Sequence, residues 1–285
     1  MDNASIQQKL NAELVNYYNT DEIRAFLFWI LPHLEAQQTH KEEELNRIIV
    51  ELQTGKPIQY ITGIAFFGKL ELKVTPSTLI PRPETEELCE MIHRHFKQQS
   101  NPNQTDGCPS KPIHGIDLGT GSGCIPIYLL TENPNWNFTG VDISESAIEI
   151  ANVNARNYHV SDRFTTSVDD VLGTFSLPSN IQLLVSNPPY ISAMEKESML
   201  ARVLEFEPHS ALFTTDQDPL QFYKKIAELV SSSAIQQLSI WLEINQYYPK
   251  EIQSLFNPLG ETQILKDISG NPRFLHCEMK KVISQ

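Results

Sequence analysis

The sequence predicts an α/β protein: a mostly parallel, seven-stranded sheet that follows a small N-terminal helical bundle and a β-hairpin linker. Three observations carry that expectation. From residue 113 onward, short apolar runs alternate with stretches of helical periodicity, the order that builds a parallel sheet covered on both faces. One of these runs, Ile116-Asp117-Leu118, enters a glycine-rich turn and then a helix. Ahead of them, residues 1 to about 55 carry little strand signal and repeat apolar side chains at three- and four-residue spacing.

In the leader, Ile6, Leu10, Leu14 and Tyr17 form one stripe and Ile23, Phe26, Leu27 and Ile30 a second, which Pro32 is expected to end. A third helix should start near Thr39, with the acidic turn Glu42 to Glu44 suited to the helix dipole. It continues through Leu45, Ile48, Ile49 and Leu52 until Gly55 and Pro57 stop it. The resulting domain, residues 1–56, reads equally well as a partner-docking module or a structural cap.

Residues 57–80 form a linker in which Phe66, Phe67, Leu70, Leu72 and Val74, broken by Gly68, predict a β-hairpin. The α/β domain then occupies residues 81–285. Its first helix should begin at or just after Pro83, which accounts for Glu84 and Glu86 but not for Arg82. Residues 98–112 read as a surface loop. Strands are expected at 113–118, 137–142, 163–167, 181–186, 238–244, 261–266 and 273–279, and helices near 123–132, 145–157, 219–232 and 246–256.

Composition narrows the function classes. Hydrophobic residues at 40% and charged residues at 20% describe a folded chain. No apolar run reaches the roughly 18 residues of a membrane span, and Met1-Asp2-Asn3-Ala4 lacks a signal-peptide pattern. The expected location is the cytoplasm, and the expected state a monomer. Cys89, Cys108, Cys124 and Cys277 form no CxxC pair, and His93 and His95 read as surface or core side chains, so no metal site is expected. A net charge of −13 favours a protein or small-molecule substrate over a phosphate backbone.

Two stretches carry chemistry. In Asp117-Leu118-Gly119-Thr120-Gly121-Ser122-Gly123, glycines let the backbone approach a ligand closely, and Asp142 closes the next strand where a carboxylate can accept from ribose hydroxyls. The nicotinamide-dinucleotide pattern would need glycine where Cys124 stands, so that cofactor is excluded. The second stretch, Val185-Ser186-Asn187-Pro188-Pro189-Tyr190, breaks a buried strand into a stiff turn. Its amide and proline carbonyls form an acceptor-rich site for the N–H groups of a planar amide or an exocyclic amine.

The glycine-rich stretch resembles motif I of class I S-adenosylmethionine-dependent methyltransferases, and Asn187-Pro188-Pro189-Tyr190 resembles motif IV of those that methylate amino and amide nitrogens. Further stretches are similar to the peptide chain release factor glutamine methyltransferases: Lys56 to Gly63, Leu79-Ile80-Pro81-Arg82-Pro83-Glu84-Thr85-Glu86, Phe206 to Leu212, and Asp267 to Arg273. That resemblance implies a Rossmann-like sheet and methyl transfer to the amide of the glutamine in the Gly-Gly-Gln loop of class 1 release factors. It implies cofactor contacts from Asp117, Gly119, Thr120, Gly121, Ser122, Gly123, Asp142, Asp170, Val171 and Asn187, with Asp169 the alternative to Asp170 for the adenine. It implies substrate contacts from Asn187, Pro188, Pro189, Tyr190, Arg82 and Glu84, of which Asn187, Pro188 and Tyr190 would be catalytic. Arg82 either binds substrate or braces its loop.

Three positions depart from the family's habit: Pro126 where a small residue is common, Asn245 where glycine is, and Val171 in place of an aromatic. The rival readings are a methyltransferase acting on adenine or guanine amines, which the acidic balance disfavours, and a non-catalytic cofactor-binding adaptor, which would not need the acceptor site.

Overall fold

The computed structural model describes residues 2–37, 39–99, 112–191, 195, 201–214 and 218–281. Helices α1 (Asn3–Leu14), α2 (Thr20–Ala36) and α3 (Lys41–Gln53) pack through Leu10, Leu14, Ile30, Ile48 and Leu52. Caps set two of the starts. Asp2 accepts from the Ser5 amide, and Asn19 and Glu22 form a reciprocal capping box.

Two expectations in this bundle need correction. Tyr17 lies beyond the end of α1 and is exposed; Tyr18 instead donates to the Leu52 carbonyl at 2.6 Å. Pro32 does not end α2. Buried Ile30 and Leu34 anchor the turns on either side of it, and the carbonyl that loses its donor belongs to exposed Phe28, where water can replace the bond.

A short helix, α4 (Ile58–Thr62), follows where none was expected, and buries Ile58, Tyr60 and Ile61. Five residues are too few for periodicity to signal. The hairpin is present as antiparallel β1 (Ile64–Phe67) and β2 (Leu70–Lys73). Gly68 turns it at φ +56°, and a Cβ there would come within 2.9 Å of the Tyr128 ring. Helix α5 (Pro83–Gln99) begins at Pro83 as expected, and its residues 98 and 99 take the first part of the predicted loop. Residues 100–111, Cys108 included, lie outside the described residues.

The α/β part runs β3 (His114–Leu118), α6 (Cys124–Glu132), β4 (Asn137–Asp142), α7 (Glu145–Asn157), β5 (Phe164–Val168), β6 (Leu183–Ser186), α8 (Ala201–Phe206), α9 (His209–Leu212), α10 (Gln221–Ser232), β7 (Gln237–Glu243), α11 (Pro249–Phe256), β8 (Gly260–Lys266) and β9 (Pro272–Lys280). The strands fall close to their predicted places. The short helices α8 and α9 were not anticipated, and α11 starts later than expected because a turn from Asn245 to Tyr248 precedes Pro249.

Spatial order in the seven-stranded sheet is β5-β4-β3-β6-β7-β9-β8. Strands β5 to β7 run parallel, while β9 is antiparallel to both neighbours. One face packs on Leu72, Leu88, Ile92, Ile127 and Trp136, the other on Tyr223, Ile226, Ile252 and Phe256. The chain order reverses at β3, so a crevice opens where the carboxyl ends of β3, β4 and β6 diverge.

Side-chain bonds lock the flanking pieces onto this sheet. Asn154 of α7 accepts from the Lys73 amide at 2.7 Å and donates to the Lys73 and Ser122 carbonyls, joining hairpin to glycine turn. At the far end of α5, His95 and His276 both bond Glu278 Oε1, which also accepts from Ser239 at 2.7 Å. Their nitrogens lie close enough to share a metal ion with that oxygen, yet mutual bonding and stacking of His276 on Trp241 account for the cluster as a clamp on α5. No helix among the described residues is long and apolar enough to cross a membrane.

Replacing Pro32 with Ala restores a donor to the Phe28 carbonyl. Urea unfolding of the variant should show a gain of about 2 kcal/mol, a helix-proline penalty of roughly 3 less the lost unfolded-state restriction of up to about 1. A loss of stability would mean that the proline ring is required by the packing of the bundle.

Candidate active site

The glycine turn after β3 makes the floor of the crevice. Gly119, Gly121 and Gly123 adopt φ of +80°, +54° and +78°, a region costly for any side chain. A Cβ on Gly119 or Gly121 would meet nothing, because both face the open groove. At Gly123 it would stand 3.2 Å from the Ala151 methyl, so that glycine serves the close approach of α6 to α7. Pro126 occupies the first turn of α6, where its missing N–H costs no helical bond.

Asp142 ends β4 and is oriented by two backbone donors, Gly121 at 2.8 Å and Ser144 at 2.9 Å. Burial raises its pKa, and the Ser144, Gly121 and Ile143 amides oppose the rise. Asp169, Asp170 and Val171 line the same groove beyond β5. Asp170 Oδ1 accepts from the Leu172 amide at 2.9 Å, leaving its second oxygen outside that turn. The groove is also lined by Ser77, Thr78 and Leu79 from the linker and by Phe213 after α9, none of which was expected as a site residue.

Asp117 lies deeper, with 1% of its surface exposed. Neither of its oxygens has a hydrogen-bond partner among the described residues, nor do the buried Thr120 and Ser122 hydroxyls. Burial pushes the Asp117 carboxyl up to about 7; Thr120 opposes the shift, although its hydroxyl is not in hydrogen-bonding geometry. An orphaned buried carboxylate beside two orphaned hydroxyls is the complement of a cationic, hydrogen-bonding ligand group. The donor set therefore fits the amino-acid end of S-adenosylmethionine.

Asn187, Pro188 and Pro189 close the groove at the end of β6. Asn187 and Pro188 also line a second cavity, with Leu79, Arg82, Tyr190 and Val203. The turn is thus the wall between two spaces. Asn187 Nδ2 donates to Thr85 Oγ1 at 3.0 Å, Thr85 donates to Glu243 Oε2 at 2.7 Å, and Tyr190 donates to Glu243 Oε1 at 3.0 Å. Burial raises the Glu243 pKa against the hydrogen bonds from Thr85 and Tyr190 and the charge of Arg273. Burial likewise raises the Tyr190 hydroxyl, with Glu243 adding to it. Asn245, one of the departures from the family pattern, donates to the Tyr190 carbonyl at 3.0 Å.

Arg82 pairs with Glu207 at 2.6 Å, and the second Glu207 oxygen accepts from the Ile80 amide. The pair ties the segment before α5 to the 206–212 stretch. Glu84 sits half-buried in the first turn of α5, and its charge raises the pKa of both Tyr190 and Glu243. Sequence reasoning missed Thr85 and Glu243 as site residues. The available signal was a carboxylate ending the apolar run Leu238 to Leu242, a position where burial demands a reason.

The Asp117 shift has a stability consequence. Its folded pKa of about 7 exceeds the ordinary 3.8, so the stability of the neutral form is fully present below that ordinary value and is lost as pH rises towards 7. The ligand-free protein should melt progressively lower over that interval, and Asp117→Asn should flatten the decline and melt higher at alkaline pH. An identical melting profile for the variant would show that burial leaves the Asp117 pKa unshifted.

A model of the methyltransferase small domain matches residues 108–214, the span from before β3 to just past α9. The chain is 39% identical to the release factor glutamine methyltransferase of Flavobacterium psychrophilum, over 94% of this chain and 95% of that one. It is 38% identical to that of Bacteroides thetaiotaomicron, over 82% and 80%. Among solved structures, the hMettl16 catalytic domain in complex with the MAT2A 3′UTR hairpin 6 superposes with a TM-score of 0.56 over 84% of this chain and 81% of that one. At 12% identity that likeness shows the shared fold alone. On sequence identity along nearly its whole length, the chain belongs to the release factor glutamine methyltransferase family.

Proposed function

We propose that this enzyme transfers a methyl group from S-adenosylmethionine to the side-chain amide nitrogen of the glutamine in the Gly-Gly-Gln loop of bacterial class 1 release factors, and so acts in translation termination. It would work as a cytoplasmic monomer. The observation that carries the reading is the shared wall: Asn187 and Pro188 border both the groove lined by Gly119, Gly121 and Asp142 and the cavity beside Tyr190. Donor and acceptor of a methyl group need to meet at such a wall.

S-adenosylmethionine, when bound, supplies an electrophilic methyl group on a sulfonium. Asp117 would receive its amino group, Asp142 the ribose hydroxyls, and Asp170 or Asp169 the adenine amine beside Val171. The side-chain-free faces of Gly119 and Gly121, with Thr120 and Ser122 alongside, let the backbone approach it.

On the other side, the Asn187 side-chain carbonyl and the Pro188 backbone carbonyl would accept the two N–H bonds of the glutamine amide. That pair orients the nitrogen and favours the positive charge that develops on it. The Tyr190 ring and Pro189 would hold the amide plane. Arg82 lines the cavity beside Tyr190 and pairs with Glu207, from where it would either contact the substrate or brace the loop that does. Glu84, in the first turn of α5, would reach the substrate from the neighbourhood of Tyr190. No side-chain base is needed, since a methylated, charged amide loses its proton readily to water.

Incubation of an unmethylated class 1 release factor with this protein and S-adenosylmethionine should add one CH₂ unit to the Gly-Gly-Gln peptide, read by mass spectrometry. Incorporation into RNA or DNA in its place would replace this reading with a nucleic-acid methyltransferase. In the same assay Asn187→Ala should lower kcat by roughly 10²- to 10³-fold, the usual effect of deleting one preorganised dipole, with cofactor affinity nearly unchanged. Near-normal turnover of that variant would refute the acceptor role.

A further inference from the structure

Groups outside the Asn-Pro-Pro-Tyr turn decide how Asn187 presents its amide. Glu243, at the end of β7, has 1% of its surface exposed, and each of its oxygens accepts one hydrogen bond: Oε2 from Thr85, Oε1 from Tyr190. A threonine hydroxyl has a single proton. With that proton on the carboxylate, Thr85 Oγ1 offers only lone pairs to its other neighbour, and Asn187 Nδ2 fills them at 3.0 Å. The NH₂ end of Asn187 is then committed towards α5, and Oδ1 is the atom left to the two cavities that Asn187 lines.

We propose that Thr85 and Glu243 are positioning residues for methyl transfer: they fix the Asn187 amide with its oxygen towards the reacting nitrogen and hold the Tyr190 ring beside it. The inference rests on the function proposed above. Its logic is one of polarity. Both Glu243 oxygens accept, one from Thr85 and one from Tyr190, so the chain of bonds from Asn187 through Thr85 to Glu243 runs in one direction. Were Thr85 to present its proton to Asn187, the amide would flip and set an NH₂ group against the substrate NH₂, two donors facing one another. Packing alone does not call for a charge here. Burying a carboxylate is costly, and the nearby Arg273 is itself paired with Asp267 at 3.2 Å.

Three variants separate positioning from packing. Thr85→Val keeps shape and removes both hydrogen bonds; Thr85→Ser keeps the hydroxyl. Glu243→Gln retains one acceptor oxygen, too few for both Thr85 and Tyr190. Methylation of the release factor by Thr85→Val should show kcat down roughly 10- to 100-fold, the scale of a misaligned reacting group. KM should hardly move, whereas the melting temperature should fall, because the buried Glu243 oxygen loses its donor. Thr85→Ser should recover most of the rate, and Glu243→Gln should lose it as Thr85→Val does.

Full turnover in Thr85→Val, or equal losses in the Val and Ser variants, would overturn the proposal. An activity-independent readout is the ¹⁵N-detected Asn187 side-chain NH₂ pair in the intact protein, expected to shift and exchange faster in Thr85→Val but not in Thr85→Ser. Unchanged signals in Thr85→Val would also overturn it. If the wild-type enzyme fails to methylate a release factor, the functional reading falls, while these signals still decide the relay.

Discussion

One buried carboxylate, Glu243, joins three parts of the chain that are far apart in sequence. Through Thr85 it reaches the first turn of α5, through Tyr190 the turn after β6, and its own backbone ends β7. The Tyr223 hydroxyl donates to its main-chain carbonyl at 3.1 Å, which brings α10 to the same point. A carboxylate withdrawn from water is tolerated only where donors replace its hydration. Here the donors are the side chains that shape the substrate side of the site, so the cost of burial and the geometry of the site have one origin. Breaking either bond leaves a charged acceptor short of a donor.

The cofactor side is built on the opposite principle. Asp117, Thr120 and Ser122 are buried and left without partners, while Asp142 is held rigid by two amides. In the proposed reading the first three would gain bonds from the cofactor, and the fourth would meet it already oriented. Burial without partners is costly, and the raised Asp117 pKa has that burial as its cause. The reversal of strand order at β3 makes the arrangement attainable, since it parts the loops above β3, β4 and β6.

Much of this was legible in the sequence, and the reasons are local. The sheet announced itself through apolar runs alternating with helical periodicity, and Gly119 to Gly123, Asp142 and Asn187 to Tyr190 lie within short spans whose residue types restrict the backbone by themselves. What could not be read depends on distance or brevity. Thr85 and Glu243 stand 158 positions apart, and nothing local to either names the other. Helices α4, α8 and α9 are four to six residues long, too short to show a period. Pro32 misled because a rule about backbone donors was outweighed by the burial of Ile30 and Leu34 around it.

The chemistry explains why rigidity matters more here than acid–base strength. An amide nitrogen shares its lone pair with the adjacent carbonyl, so it attacks only when held in line, and a base cannot substitute for that alignment. Two consecutive prolines remove most backbone freedom from the turn. The freedom that remains at Asn187 is rotation about its terminal side-chain bond, where the two ends of the amide have nearly equal shape and opposite hydrogen-bonding sense. Sterics cannot distinguish them. A neighbouring hydroxyl whose proton is already taken can, and α5 carries that hydroxyl at one end while His95, Trp241 and Glu278 fasten its other end to the same sheet. A helix held at both ends transmits the position of the sheet to a single side-chain torsion, and in the proposed positioning role that torsion would set which atom faces the substrate.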